Sequence, residues 1–184
     1  MRVLALTNYY PPHHFGGYEL SCFDVMTRFE QRGHEVAVLC GAQRLATATE
    51  PTAHEEVVGR SLRLYHDGED LLAPGWRERL AIERHNQERL AEALDRFRPD
   101  VVSVWHLAAL SSGLLTTIAE RRIPVAYAVC EEWPAYLLTL DPWARPFALP
   151  TDAAPGTAAA GRTGPRPAAA DGHRRRPGHG PPRR

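Results

Sequence analysis

Gly16 and Gly17 lie side by side between a Pro-rich loop and an amphipathic segment. Such a pair leaves main-chain amides exposed at a helix N-terminus, where an anionic phosphate can dock. Without a Cβ at either position, a ligand can approach the backbone closely. Other reactive groups flank them. His13 and His14 stand in the loop Thr7–Phe15, and Tyr18 and Glu19 follow the glycines directly. Further along, His106 ends an apolar run, and Glu131 and Glu132 form an adjacent carboxylate pair. Each has a plainer alternative. The glycines could simply shape a loop, His106 could be a satisfied core histidine, and Glu19 suits a first helical turn on dipole grounds alone. Adjacent carboxylates also lack the opposed geometry that glycoside hydrolysis needs.

The elements that must position these groups can be read from periodicity. Arg2–Leu6 is a near-continuous apolar run, as in a parallel strand buried on both faces. Pro11 and Pro12 exclude a helix in the loop that follows. A helix is predicted from Gly17 to about Arg32, with Leu20, Phe23, Val25, Met26 and Phe29 on one stripe, ended by Gly33. Glu35–Cys40 reads as a strand, Gly41–Thr52 as a loop and Val57–His66 as one or two strands. Then come a helix at Trp76–Phe97, a strand at Val101–Trp105, a helix at Leu107–Arg122 and a strand at Ile123–Val129. The alternation predicts an α/β fold: a Rossmann-like parallel sheet with helices on both faces. Ligands of such sheets bind beyond the carboxyl ends of the strands. Asn8–Gly17, Gly41, His66, His106 and Cys130–Trp133 are therefore expected along one edge.

Composition splits the chain. Residues 151–184 contain no Val, Ile, Leu, Met, Phe, Tyr, Trp or Cys, and 27 of these 34 positions are Ala, Arg, Pro or Gly. So little apolar surface cannot offset the entropy of ordering, which predicts disorder. Residues 1–150 carry 15 Arg against 20 acidic residues, and the tail 7 Arg against 2. An acidic folded part argues against specific nucleic-acid binding. Every basic residue is Arg, a bias typical of GC-rich coding DNA. Residues 146–184 are expected to be a frameshift product that replaces a longer natural chain. Cys22, Cys40 and Cys130 are odd in number and show no metal-ligand spacing, so reduced thiols and no metal are expected. No signal-peptide pattern opens the chain, and no apolar run approaches the ~18 residues of a spanning helix. A cytoplasmic protein is expected, with peripheral contact at the inner membrane face left open.

Two nucleotide-binding classes fail on their motifs. A dinucleotide domain needs GxGxxG directly after the first strand and usually an acidic residue ending the second. Here a long loop intervenes, and the second strand ends Leu39-Cys40-Gly41. A P-loop needs a lysine, and the chain has none. By contrast, Tyr10-Pro11-Pro12, Gly16-Gly17, Glu19 and Arg32-Gly33-His34-Glu35-Val36 resemble the N-terminal domain of retaining glycosyltransferase family 4. Trp105-His106-Leu107 is similar to that family's strand ending in histidine, and Glu131-Glu132-Trp133-Pro134 to its acidic-Trp loop.

The resemblance covers residues 1–145 and implies one half of a GT-B fold. It implies hexosyl transfer with retention, from a nucleotide-sugar to a glycan, lipid-linked or small-molecule acceptor, without metal or other cofactor. Gly16 and Gly17 would face the donor diphosphate, and His106 the transferred sugar. His13, His14, Tyr18, Glu19, Glu131 and Glu132 would line the acceptor side. The family more often has His-Asp where this chain has Glu131-Glu132. The family's donor-binding domain, with its Glu-x7-Glu element, has no counterpart after Pro150. The expectation is an N-terminal half that is inactive alone, unless completed by a separately encoded donor domain. The alternative is a non-catalytic α/β module that binds a glycan or a protein.

Overall fold

The computed structural model describes residues 1–45, 57–66, 72–107 and 109–141. All belong to one unit, Met1–Pro150. The readings of residues 146–184 as disordered and frameshifted fall outside the described residues. Five strands form one sheet: β1 (Arg2–Thr7), β2 (Glu35–Gly41), β3 (Val58–Leu62), β4 (Val101–His106) and β5 (Val125–Tyr127). Their order is β3-β2-β1-β4-β5, and every pairing is parallel. The helices are α1 (Gly17–Gln31), α2 (Trp76–Phe97), α3 (Gly113–Glu120) and α4 (Trp133–Leu140).

Strand alternation divides the core in two. Leu4, Leu6, Leu39, Val102 and Val104 turn to one face, where α2 supplies Leu90 and Leu94, α3 Leu114 and Ile118, and α4 Trp133 and Leu137. Val3, Ala5, Val36, Val38 and Trp105 turn to the other, against Cys22 and Met26 of α1. Successive residues of a strand point to opposite faces, so apolar runs are needed where both faces are covered. Helix α1 stops because Gly33 takes φ +79°. The Gly33 amide then donates to the Glu30 carbonyl and the His34 amide to Phe29, at 2.8 and 3.1 Å. Such a left-handed residue turns the chain off the helix and satisfies the last carbonyls.

Three boundaries differ from the sequence expectation. The helix read from Leu107 begins only at Gly113. Residue Ala109 has φ +64°, and the Ser112 amide and hydroxyl both donate to buried Asp141, at 2.6 and 2.5 Å. These contacts hold a turn where the apolar pattern suggested helix. The last strand is shorter than Ile123–Val129, because β5 pairs with β4 alone. Trp133 and Pro134, expected in the acidic-Trp loop, instead open helix α4. Its Pro134 lies in the first turn, where a missing amide costs no hydrogen bond. Among the described residues no helix is long and apolar enough to cross a membrane.

Candidate functional site

In this strand order the direction of winding reverses between β1 and β4, and a crevice opens at the carboxyl ends of those strands. Asn8 and His106 meet there. The Asn8 amide donates to the His106 carbonyl at 3.1 Å, and the Gly41 amide donates to the Asn8 carbonyl at 2.8 Å. One residue thus ties together the tips of β1, β2 and β4.

The Asn8 side chain sets the state of His106. Its Oδ1 accepts the Tyr9 amide at 2.8 Å. A backbone N–H can only donate, so Nδ2 must be the atom facing His106 Nδ1, at 2.9 Å. That nitrogen therefore accepts, and the proton of the neutral ring sits on Nε2. The Nε2–H points to Glu131 Oε1 at 3.2 Å. The His106 ring stacks on Tyr18, with centroids 4.9 Å apart and planes 28° apart, and Trp133 approaches it edge-on at 6.1 Å.

Burial pushes the imidazole below its usual 6.5, and the nearby Glu131 and Glu19 carboxylates only partly offset this. The His106 side chain is 13% exposed and that of Glu131 50%. At neutral pH His106 is an uncharged donor. A histidine with a lowered folded pKa contributes stability above its unfolded value and loses it as pH falls through the folded value. Unfolding free energy should therefore drop as pH falls below 6.5. Urea denaturation of the wild type and of His106→Gln on either side of that pH checks it: the variant's curve should be flatter. Parallel curves would contradict the assignment.

Gly16 and Gly17 open α1 beside this cluster, and both are exposed. The Gly16 amide is not bare. It donates to Glu19 Oε2 at 3.0 Å, the reciprocal half of a capping box. Gly17 is the first helical residue, and its amide has no intrahelical partner. Neither glycine is required by the protein itself. A Cβ at either position would meet nothing within 4 Å, and Gly16 has an extended φ of −160°.

The remaining expected site residues separate by burial. His13 is 6% exposed, and its Nδ1 accepts the Leu45 amide at 3.0 Å. Glu19 is 4% exposed and caps the helix. In this conformation both spend polar atoms on the fold, unlike the acceptor contacts expected of them. His14 and Glu132 are exposed, with Glu132 at the N-cap of α4. Tyr18 and Glu131 join His106 directly. Trp105 and Trp133 are core.

The structure gives two residues a positioning role that no motif marked. Asn8 is one. The other is Arg60 of β3, whose guanidinium donates to the Tyr10 and Pro11 carbonyls at 2.8 and 2.6 Å and reaches Cys40 Sγ at 3.7 Å. It braces the Pro-rich loop that leads to Gly16. Asn8 could have been suspected from its place just past a strand tip. Arg60 carried no signal, because β3 reads VGRSL without alternation.

The sheet is Rossmann-like and carries a polar cluster at its switch point. Residues 15–151 match the family model described as Glycosyltransferase Family 4. The chain belongs to that family. No curated protein matches it.

Proposed function

We propose that this domain forms the acceptor-side wall of a retaining glycosyltransferase. The enzyme would move a hexosyl unit from a nucleotide-sugar to a glycan, lipid-linked or small-molecule acceptor. The observation that carries the reading is the glycine pair: two exposed positions that the fold does not require to be glycine, at a helix N-terminus beside the switch point. Close approach of an external group explains them.

In this reading the donor diphosphate lies against the first turn of α1, and the Gly17 amide donates to a phosphoryl oxygen. His106 Nε2–H donates to a sugar oxygen once Glu131 yields it. The bond between the anomeric carbon and the diphosphate breaks, and an acceptor oxygen bonds to that carbon on the same face. The acceptor's proton passes to the departing diphosphate. His14, Glu132 and Tyr18 line the acceptor side. A second, donor-binding domain, in this or another polypeptide, supplies cations, since the Glu19 carboxylate opposes an anion here. No metal or cofactor enters the scheme. Cytoplasmic placement, with contact at the inner membrane face for a lipid-linked acceptor, belongs to the same proposal.

An NMR titration of the 15N-labelled chain with inorganic pyrophosphate and a panel of nucleoside diphosphates tests it. Amides of residues 16–19 should shift. Gly17→Ala should weaken binding about ten- to hundredfold, the worth of one charge-assisted hydrogen bond. Its melting temperature should hold or rise, because alanine fits the space and favours helix. Equal affinity in the variant would remove the phosphate role. Glycan binding with no nucleotide released in the presence of a donor domain would mark a binding module instead.

A further inference from the structure

Two separate elements converge on Tyr18, and neither is its neighbour in sequence. Its ring lies on His106, at the end of β4. Its hydroxyl oxygen accepts two consecutive backbone amides from the turn before α4, Cys130 at 2.6 Å and Glu131 at 2.8 Å. Glu131 is thereby held twice: its amide donates to Tyr18, and its carboxylate accepts from His106 Nε2 at 3.2 Å. Tyr18, Glu131 and His106 close a ring of contacts.

We propose that Tyr18 is a positioning residue for His106, acting through the 130–131 turn: its hydroxyl holds that turn in place and so sets the Glu131 carboxylate on the imidazole Nε2–H. The inference rests on the reading of His106 as the group that meets the sugar.

The alternatives for each contact are weaker. Stacking alone would need only a phenyl ring, yet the hydroxyl also accepts two amides that lie before the helix. Glu131 is half-exposed, so its side chain would wander among rotamers without a fixed backbone. An exposed pair of that kind is worth little on its own. Anchoring its main chain removes much of the entropy that opposes the contact. The other groups facing the ring are Asn8 at Nδ1, Trp133 at its edge and the Glu19 carboxylate. Trp133 also braces this segment, its Nε1 donating to the Ala128 carbonyl at 3.3 Å.

The test uses the full chain without ligand, so it stands or falls separately from the pyrophosphate titration. In Tyr18→Phe the ring stays and only the anchor is lost. Hydrogen exchange at the Cys130 and Glu131 amides should quicken about tenfold or more, the worth of the missing bonds, while amides of β1 and β4 keep their rates. The second readout is the NMR titration of His106 in a double-mutant cycle. Glu131→Gln should lower the His106 pKa in the wild-type background, because a carboxylate that favours the charged ring is removed. In the Tyr18→Phe background the same substitution should move it by less than roughly half as much, because the turn no longer holds the carboxylate in place. Equal shifts in both backgrounds, or unchanged exchange at the two amides, would overturn the proposal. Should Tyr18→Phe fail to fold, exchange at the two amides in the wild type decides: they must be protected well beyond the neighbouring exposed turn amides.

Discussion

Gly41→Ala should destabilise the protein by about 2–4 kcal/mol and disorder the strand tips around His106. The reason is backbone, not side chain. A Cβ at this position would stand 2.6 Å from the Asn8 carbonyl oxygen and 2.8 Å from Leu64 Cδ1. Leucine can rotate, but the carbonyl cannot, since it already accepts the Gly41 amide at 2.8 Å. Moving β2 away relieves the overlap only by breaking that bond and shifting Asn8, which orients His106. Overpacking costs about 1–3 kcal/mol and a lost buried hydrogen bond about 1 more. Urea denaturation gives the number, and Gly16→Ala, which enters open space, is the control. A Gly41→Ala curve that overlays the wild type would mean that the tips of β1 and β2 are not packed this closely.

Asn8→Asp should reverse the pH dependence of stability that His106 confers. In the native protein Nδ1 accepts from the amide nitrogen of Asn8. Aspartate can still receive the Tyr9 amide with one oxygen, but the other then faces the Nδ1 lone pair. Two acceptors in contact repel unless a proton lies between them. Nε2 cannot surrender its own proton without cost, because Glu131 Oε1 sits beyond it. The ring therefore takes a second proton and lies between two carboxylates, which raises its pKa relative to the wild type. For a raised histidine, stability is full below the unfolded pKa and is lost as pH rises through the folded one. The wild type should weaken on acidification below 6.5; Asn8→Asp should be weaker than wild type at alkaline pH and gain on it as pH falls. Denaturation curves at about pH 5.5 and 8 bracket the window. Equal pH slopes would show that Nδ1 is not the accepting nitrogen.

How much of this could be read in the chain differs between fold and site. β1, α1, β2 and α2 came out within a residue or so, because their patterns are local: unbroken apolar runs for doubly covered strands, 3.6-residue stripes for helices, and Gly33 as a stop. The onset of α3 was misread because Leu107–Leu110 is apolar enough for helix. The contact that stops it comes from Asp141, far along the chain. Helix α4 has only 8 residues, and its first two, Trp133 and Pro134, fall in the motif that resembles the family's acidic-Trp loop. Family membership was legible from the order of several short motifs, each weak alone.

Strand ends and periodicity are properties of neighbouring residues, so they already place Asn8, Gly16, Gly17, His106 and Glu131 on one edge of an α/β sheet. Long-range packing sets what each of them does there. It turns His13 inward to the Leu45 amide, puts the His106 proton on Nε2 through Asn8, and sets Tyr18 between β4 and the turn before α4. The last two outcomes depend on hydrogen bonds between residues about a hundred positions apart. The direction of a donor, and whether a carboxylate faces solvent or an amide, is fixed by which segment packs opposite. No local pattern carries that information.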